Sequence, residues 1–169
     1  VRRFIHISSL AAREPQLSAY AASKRAAELA IEAWRDAIVL RPPVVYGPGD
    51  RESYRLFQAG RHRYVPVPGP VDARTALIHV QDLVRLIAAL AASGPAGRIL
   101  TAADANPQGY RRDELLAAAA RAVGNASARL IPAPGMLLRA IAWAGDLARI
   151  CGSASMLNSQ KLRELRHRD

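Results

Sequence analysis

The sequence predicts an α/β fold built on parallel strands, and three observations carry that prediction. A short apolar run at Phe4, Ile5 and Ile7 is followed by a helical pattern from Ser18 and then by a second apolar run, Ala37-Ile38-Val39-Leu40. Strand, helix and strand at these lengths form a βαβ unit, which implies parallel strands and a right-handed crossover. The second run shows no polar alternation, as expected of a strand covered on both faces. Further short strands then alternate with helical patterns before the chain becomes mainly helical.

Taken in order, Ser8-Ser9 follows the first strand where such a strand should end, which sets hydroxyls at a sheet edge. Pro15 interrupts the link, and Ser18 is placed to cap a helix of good helix formers that runs from Ala21 to Trp34. The second strand ends at Arg41-Pro42-Pro43, and Val44 to Asp50 reads as a loop dense in turn formers, where backbone can approach a ligand closely. Ser53 to Gly60 is expected as a short helix, followed by Arg61-His62-Arg63-Tyr64 and the stiff run Val65 to Pro70. Ala76 to Val80 is the next strand, with Asp82 placed to open a helix from Leu83 to Ala92 and His79 expected in a structural role. Gly97 to Thr101 is a further strand. Helices are then expected from Arg111 to Val123, from Gly135 to Ile150 and from Asn158 to His167, with Pro132 and Pro134 punctuating the approach to the second.

One stretch carries chemistry. Tyr20 and Lys24 stand at i and i+4, on one helix face and one turn apart. A free phenol is a poor base at neutral pH, but an ammonium within a few ångströms favours the phenolate and lowers its pKa. A serine presented from the strand end, Ser9 being better placed than Ser8, can hydrogen-bond the same substrate oxygen and hold it against the tyrosine. Of 24 Lys plus Arg residues only Lys24 and Lys161 are lysines, so a lysine here stands out where a tunable point charge would serve and a guanidinium would not. By chance alone a Tyr-x-x-x-Lys arises in such a composition about 6% of the time, so the ordered surroundings carry the reading. In parallel sheets, ligands bind beyond the carboxyl ends of the strands, and both Ser8-Ser9 and Arg41-Pro42-Pro43 fall there.

Composition narrows the function classes. The 169 residues suffice for one sizeable core, and nothing in them marks two independent domains. The single cysteine, Cys151, excludes an internal disulfide and most cysteine metal sites, so no metal is expected. A lone thiol fits a reducing compartment and no signal-peptide order is present, so a cytoplasmic location is expected. Met136 to Ile150 is broken by Arg139, Asp146 and Arg149 and reads as an amphipathic helix, not a membrane span. The net charge of +10 invites a nucleic-acid partner, but the arginines are scattered from Arg2 to Arg168 with no aromatic platform. Neither nucleic acid nor membrane is expected as a partner; an anionic small molecule such as a dinucleotide is.

Phe4-Ile-His-Ile-Ser-Ser9, Tyr20-Ala-Ala-Ser-Lys24 and Leu40-Arg-Pro-Pro-Val-Val-Tyr-Gly-Pro-Gly49, with Ile78-His-Val-x-Asp82 later, resemble the extended short-chain dehydrogenase/reductases, also called the NAD-dependent epimerase/dehydratase family. The resemblance covers nearly the whole chain. It implies the C-terminal part of a Rossmann-type, doubly wound parallel sheet with a mostly helical substrate-binding region. Residues 1–104 would be the C-terminal half of the dinucleotide-binding domain, with a substrate-loop segment inserted at about 46–75; residues 105–169 would form the helical region. By the same resemblance Ser9 and Tyr20 polarise and protonate or deprotonate the substrate oxygen, while Lys24 lowers the tyrosine pKa and holds the nicotinamide ribose. Ser8, Tyr20, Lys24 and the segment Pro42, Pro43, Val44 and Val45 would contact NAD or NADP, and Tyr46 and Arg74 the substrate. The implied activity is oxidation, reduction, epimerisation or dehydration at a hydroxyl or keto carbon of a sugar nucleotide or similar small molecule, in a protein whose family allows a homodimer. The alternative is a non-catalytic dinucleotide-binding relative with a regulatory or assembly role.

Three departures qualify the resemblance. No Gly-x-Gly-x-x-Gly or Gly-x-x-Gly-x-x-Gly occurs in the sequence, so the family's phosphate loop is absent and the chain is expected to be a C-terminal piece. Only ten residues separate Ser9 from Tyr20, fewer than in many nucleotide-sugar members. Arg74 lies one residue off the arginine that such members place before Ile-His-Val to grip a diphosphate. The last two point away from a nucleotide sugar.

Overall fold

The computed structural model describes residues 3–150, with side chains to 144, and residues 159, 162 and 163 beyond them. Cys151, Lys161 and most of the helix expected from Asn158 to His167 lie outside the described residues. The elements run β1 (Ile5–Ile7), a 3-10 turn (Leu10–Arg13), α1 (Ala19–Ala30), β2 (Ile38–Arg41), β3 (Val44–Tyr46), α2 (Arg51–Gly60) and β4 (Tyr64–Val67). There follow β5 (Arg74–Thr75), β6 (Leu77–His79), α3 (Val80–Ser93), β7 (Ile99–Thr101), β8 (Tyr110–Arg111), α4 (Arg112–Ala122), β9 (Arg129–Pro132) and α5 (Gly135–Ile150). Contacts group them into two compact units, residues 1–49 with 75–109 and residues 50–74 with 110–169. Composition carries no sign of this division because each unit is assembled from two separated segments, and no linker marks the boundary.

In the first unit β1, β2 and β7 form a parallel sheet in the order β1-β2-β7, with Ile5 opposite Ile38 and Val39 opposite Ile99. The expected βαβ unit is therefore present, with α1 as its crossover. Ile38 and Leu40, two residues apart on one sheet face, are fully buried in a cluster with Ile78, Leu83 and Leu90. Val44–Tyr46, expected as loop, is instead a strand paired in parallel with β6, Val44 opposite Leu77 and Tyr46 opposite His79. The turn-forming residues that suggested a loop begin only at Gly47, whose φ is +151° and where a Cβ would lie 2.6 Å from Val80 Cγ1. α3 opens at Val80, earlier than expected, because the ring Nδ1 of His79 accepts from the backbone N–H of Gln81. Asp82 is thus a first-turn acid paired with Arg85 rather than the cap.

In the second unit α2 begins under Asp50, whose carboxylate accepts from the N–H groups of Glu52 and Ser53. The stiff run after Tyr64 forms β4, which pairs in parallel with β9. Neither strand was expected. Pro66 is tolerated because the pair has only two strands and its nitrogen faces the free edge of β4, where no ladder donor is needed, while Val65 and Val67 are buried with Leu116. Arg112 donates to the carbonyls of Pro68 and Pro70, tying the proline segment to the start of α4. α2 and α4 touch at Gly60, where a Cβ would fall 2.8 Å from the Ala120 Cα and 2.9 Å from its N.

α1 lies against the sheet by different means. It starts as expected, with Ser18 accepting from the Ala21 N–H, but stops at Ala30 rather than at Trp34. Trp34 leaves the helix and meets Phe4 edge to face, 4.8 Å between ring centres. Of the twelve residues in α1 only Ala21 and Glu28 are buried, so the helix has little apolar grip. Glu28 takes its place: its Oε1 accepts from the Ser8 hydroxyl (2.6 Å) and Arg41 Nε (2.8 Å), and its Oε2 from Arg41 Nη2 (2.6 Å) and Arg25 Nη1 (3.1 Å). Arg41, then Ser8 and Arg25, hold the Glu28 carboxyl down at about 2 against the upward push of burial.

Two consequences are measurable in the full-length protein. Gly60→Ala should cost about 1–3 kcal/mol in a urea titration, since the obstructing atoms are backbone and cannot yield. The Glu28 carboxyl is more acidic folded than at its ordinary 4.5. Its stabilisation is therefore complete above that value and disappears as pH falls toward 2, amounting to about 3 kcal/mol at neutral pH. Unfolding free energies measured between pH 6 and pH 2.5 should fall steeply in the wild type and less in Glu28→Gln; equal slopes would remove Glu28 from the acid response.

Candidate active site

The first unit gathers most of the expected site residues where β1, α1 and β2 meet. Ser18 caps α1 and sets its first turn, and Tyr20 follows two residues later with about half of its surface exposed. Lys24, one turn on, places its Nζ 5.8 Å from the centre of the Tyr20 ring and 3.4 Å from the Ile7 carbonyl, its one hydrogen bond among the described residues. The ammonium therefore bridges the helix face and the end of β1, with N–H donors to spare.

Ser8 and Ser9 part company at the strand end. Ser8 is buried and its hydroxyl donates to Glu28. Ser9 caps the 3-10 turn, its Oγ accepting from the Ala11 N–H at 3.3 Å. That bond occupies a lone pair and leaves the Ser9 O–H as a donor. The backbone joins the two strand ends: the Ser8 N–H donates to Leu40 O and the Leu10 N–H to Pro42 O, each at 2.8 Å.

The Pro42 to Val45 segment has a graded exposure. Pro42 is buried, Pro43 and Val45 are partly covered, and the Val44 side chain is about half exposed. Tyr46 stands edge-on to His79, with ring centres 5.2 Å apart, so its ring is placed by the α3 cap. Arg74 belongs to the second unit. Concavities of about 410 Å³, lined by Arg61, Arg63, Asn125, Ser127 and Arg129, and of about 350 Å³, lined by Val80, Gln81, Val84 and Arg85, include none of the expected catalytic groups. The Tyr20 and Lys24 face is open. Among the described residues no cluster of His, Cys, Asp or Glu can hold a metal ion, and no helix is long and apolar enough to cross a membrane.

Sequence reading missed Glu28. The signal was present, since Tyr20, Lys24 and Glu28 continue the same four-residue step, and Glu28 is the one acid in α1. Its partner Arg41 was visible only as the end of a strand.

The donors fit one end of a dinucleotide. Lys24 has N–H groups to spare and lies 5.8 Å from the centre of the Tyr20 ring, which suits a polyol such as a ribose, and Val44 offers apolar surface to a planar ring. The sequence contains no glycine-rich phosphate loop.

The NAD dependent epimerase/dehydratase family matches residues 2–103. A ceramide reductase from Caulobacter vibrioides (strain NA1000 / CB15N) is 42% identical over 171 residues, covering 99% of this chain and 53% of that protein, so the chain spans about half the length of the curated relative it matches. RMD from Pseudomonas aeruginosa, complexed with NADPH, superposes with a TM-score of 0.59 at 20% identity, over 96% of this chain and 64% of that one. UDP-glucose 4-epimerase from Thermus thermophilus, in complex with NAD, gives 0.58 at 22% identity, over 78% and 51%. With strand, Ser-Ser, Tyr-x-x-x-Lys helix and second strand assembled in one parallel sheet, and the family matched over more than half its length, this chain belongs to the NAD-dependent epimerase/dehydratase family.

Proposed function

We propose that the protein carrying this chain is a nicotinamide-dependent reductase of a keto carbon on a ceramide-type lipid, with Tyr20 as the proton donor. The observation that carries the chemistry is the Lys24 ammonium, held between the Tyr20 ring and the carbonyl end of the strand that presents Ser9. Support for the substrate class comes from the 42% identity to a ceramide reductase along almost the entire chain. The short link between Ser9 and Tyr20 and the displaced Arg74 argue in the same direction, away from a sugar nucleotide. Retention of Ser9, Tyr20 and Lys24 together argues against a non-catalytic relative.

Pro42 to Val45 and Lys24 would hold the reduced cofactor, NADH or NADPH, which when bound would supply the hydride for the carbonyl carbon and leave as NAD or NADP. Ser9 donates its O–H to the carbonyl oxygen and orients it. Tyr20 gives that oxygen its phenolic proton as the C–H bond forms, so the C=O double bond becomes C–H and O–H and a phenolate remains. Lys24 stabilises the phenolate until water reprotonates it. The second unit, rich in helix, is the region we assign to substrate binding.

The test uses the full-length protein with NADH and NADPH, a keto-ceramide and UDP-glucose. Cofactor oxidation should accompany the keto-ceramide alone, and Tyr20→Phe should lower kcat by about 10²–10⁴-fold while cofactor affinity stays within about threefold. Turnover of UDP-glucose in place of the lipid would transfer the assignment to sugar nucleotides. Cofactor binding without any turnover would favour the non-catalytic alternative.

A further inference from the structure

We infer that Glu28 is a positioning residue: its buried carboxylate, clasped by Ser8 and Arg41, sets the height and rotation of α1 at which Tyr20 and Lys24 face the substrate oxygen. This rests on the reading of Tyr20 and Lys24 given above and adds a residue that does not itself touch substrate.

The argument begins with what α1 lacks. A helix is ordinarily held in register by interdigitating apolar side chains, but here the covered face offers little beyond Ala21. Small side chains alone resist sliding and rotation weakly. Directional contacts must then define the register, and α1 has two toward the strand ends: Lys24 to Ile7 O, and Glu28 to Ser8 and Arg41. Tyr20, Lys24 and Glu28 follow one another at steps of four along about 12 Å of helix, with the first two at the open end and the third buried. A planar guanidinium meeting a carboxylate through two parallel hydrogen bonds fixes orientation as well as distance.

The partners are as telling as the bond. Ser8 immediately precedes Ser9, and Arg41 immediately precedes the Pro42-Pro43 wall. The same two strand ends are joined by Ser8 N–H to Leu40 O and by Leu10 N–H to Pro42 O. A closed circuit therefore links the hydroxyl donor, the proton donor and the cofactor wall, and Glu28 is where the helix enters it. A displacement of α1 by about 1 Å would separate groups that must meet within hydrogen-bond reach, a loss on the order of 10²-fold in rate.

A purely structural ion pair would behave differently. Replacing a buried pair by apolar residues of similar volume commonly restores stability, whereas removing one partner does not. The experiment takes the full-length protein with keto-ceramide and the better nicotinamide cofactor, and measures thermal midpoint, kcat and the lipid KM. It compares Glu28→Gln, the double variant Glu28→Met with Arg41→Met, Tyr20→Phe, and Leu90→Ala as a core variant remote from the site. Expected are a kcat about 100-fold lower in Glu28→Gln with KM within about threefold, and a double variant that regains the midpoint but not kcat. Leu90→Ala should lose midpoint and keep kcat. Recovery of kcat together with the midpoint in the double variant would overturn the positioning role, as would a wild-type kcat in Glu28→Gln. If Tyr20→Phe alone retains full activity, the catalytic reading fails and this inference falls with it; if only the Glu28 variants do, the catalytic reading stands.

Discussion

A buried carboxylate with four donors is the contact on which the active end of the first unit depends. Glu28 sits almost out of water, so its charge is tolerated only because Arg41 and Arg25 are beside it and Ser8 completes its hydrogen bonds. The arrangement explains why a helix of small residues can carry chemistry. Of its alanines only Ala21 is buried, and the ion cluster supplies the precision that side-chain interdigitation would supply elsewhere.

The candidate site is built by placing few groups at strand ends. Parallel strands direct their last residues to one edge, and here β1 and β2 deliver Ser9 and Pro42 side by side through two backbone hydrogen bonds. α1 returns between those strands in sequence and so passes directly over that edge. Tyr20 and Lys24 need only be in its first two turns to reach it. The half-exposed phenol and the single hydrogen bond of Lys24 leave both groups available, which a fully satisfied surface pair would not.

How much could be read in advance varied with the kind of force involved. Local rules located Ser18 as a cap, Tyr20 and Lys24 on one face and the apolar run of β2, because each depends on neighbours within a few residues. Non-local pairing was invisible. Val44–Tyr46 and Arg129–Pro132 became strands only because β6 and β4 lay beside them, and Pro66 contradicted its strand until the pair proved to have a free edge. His79 displaced Asp82 as a cap since Val80 was drawn into the helix one residue after the strand ended.

The same division runs through the site. The amino-acid order by itself placed Tyr20 and Lys24 one turn apart on a capped helix that follows a strand ending in Ser-Ser, since helix pitch and strand end are local matters. Only the tertiary structure decided which serine turns outward, where α1 stops, and that Glu28 and Arg41, thirteen residues apart, close on each other. Those outcomes depend on desolvation: a carboxylate and a guanidinium leave water together when two elements pack, and nothing in the local sequence of either declares the partner.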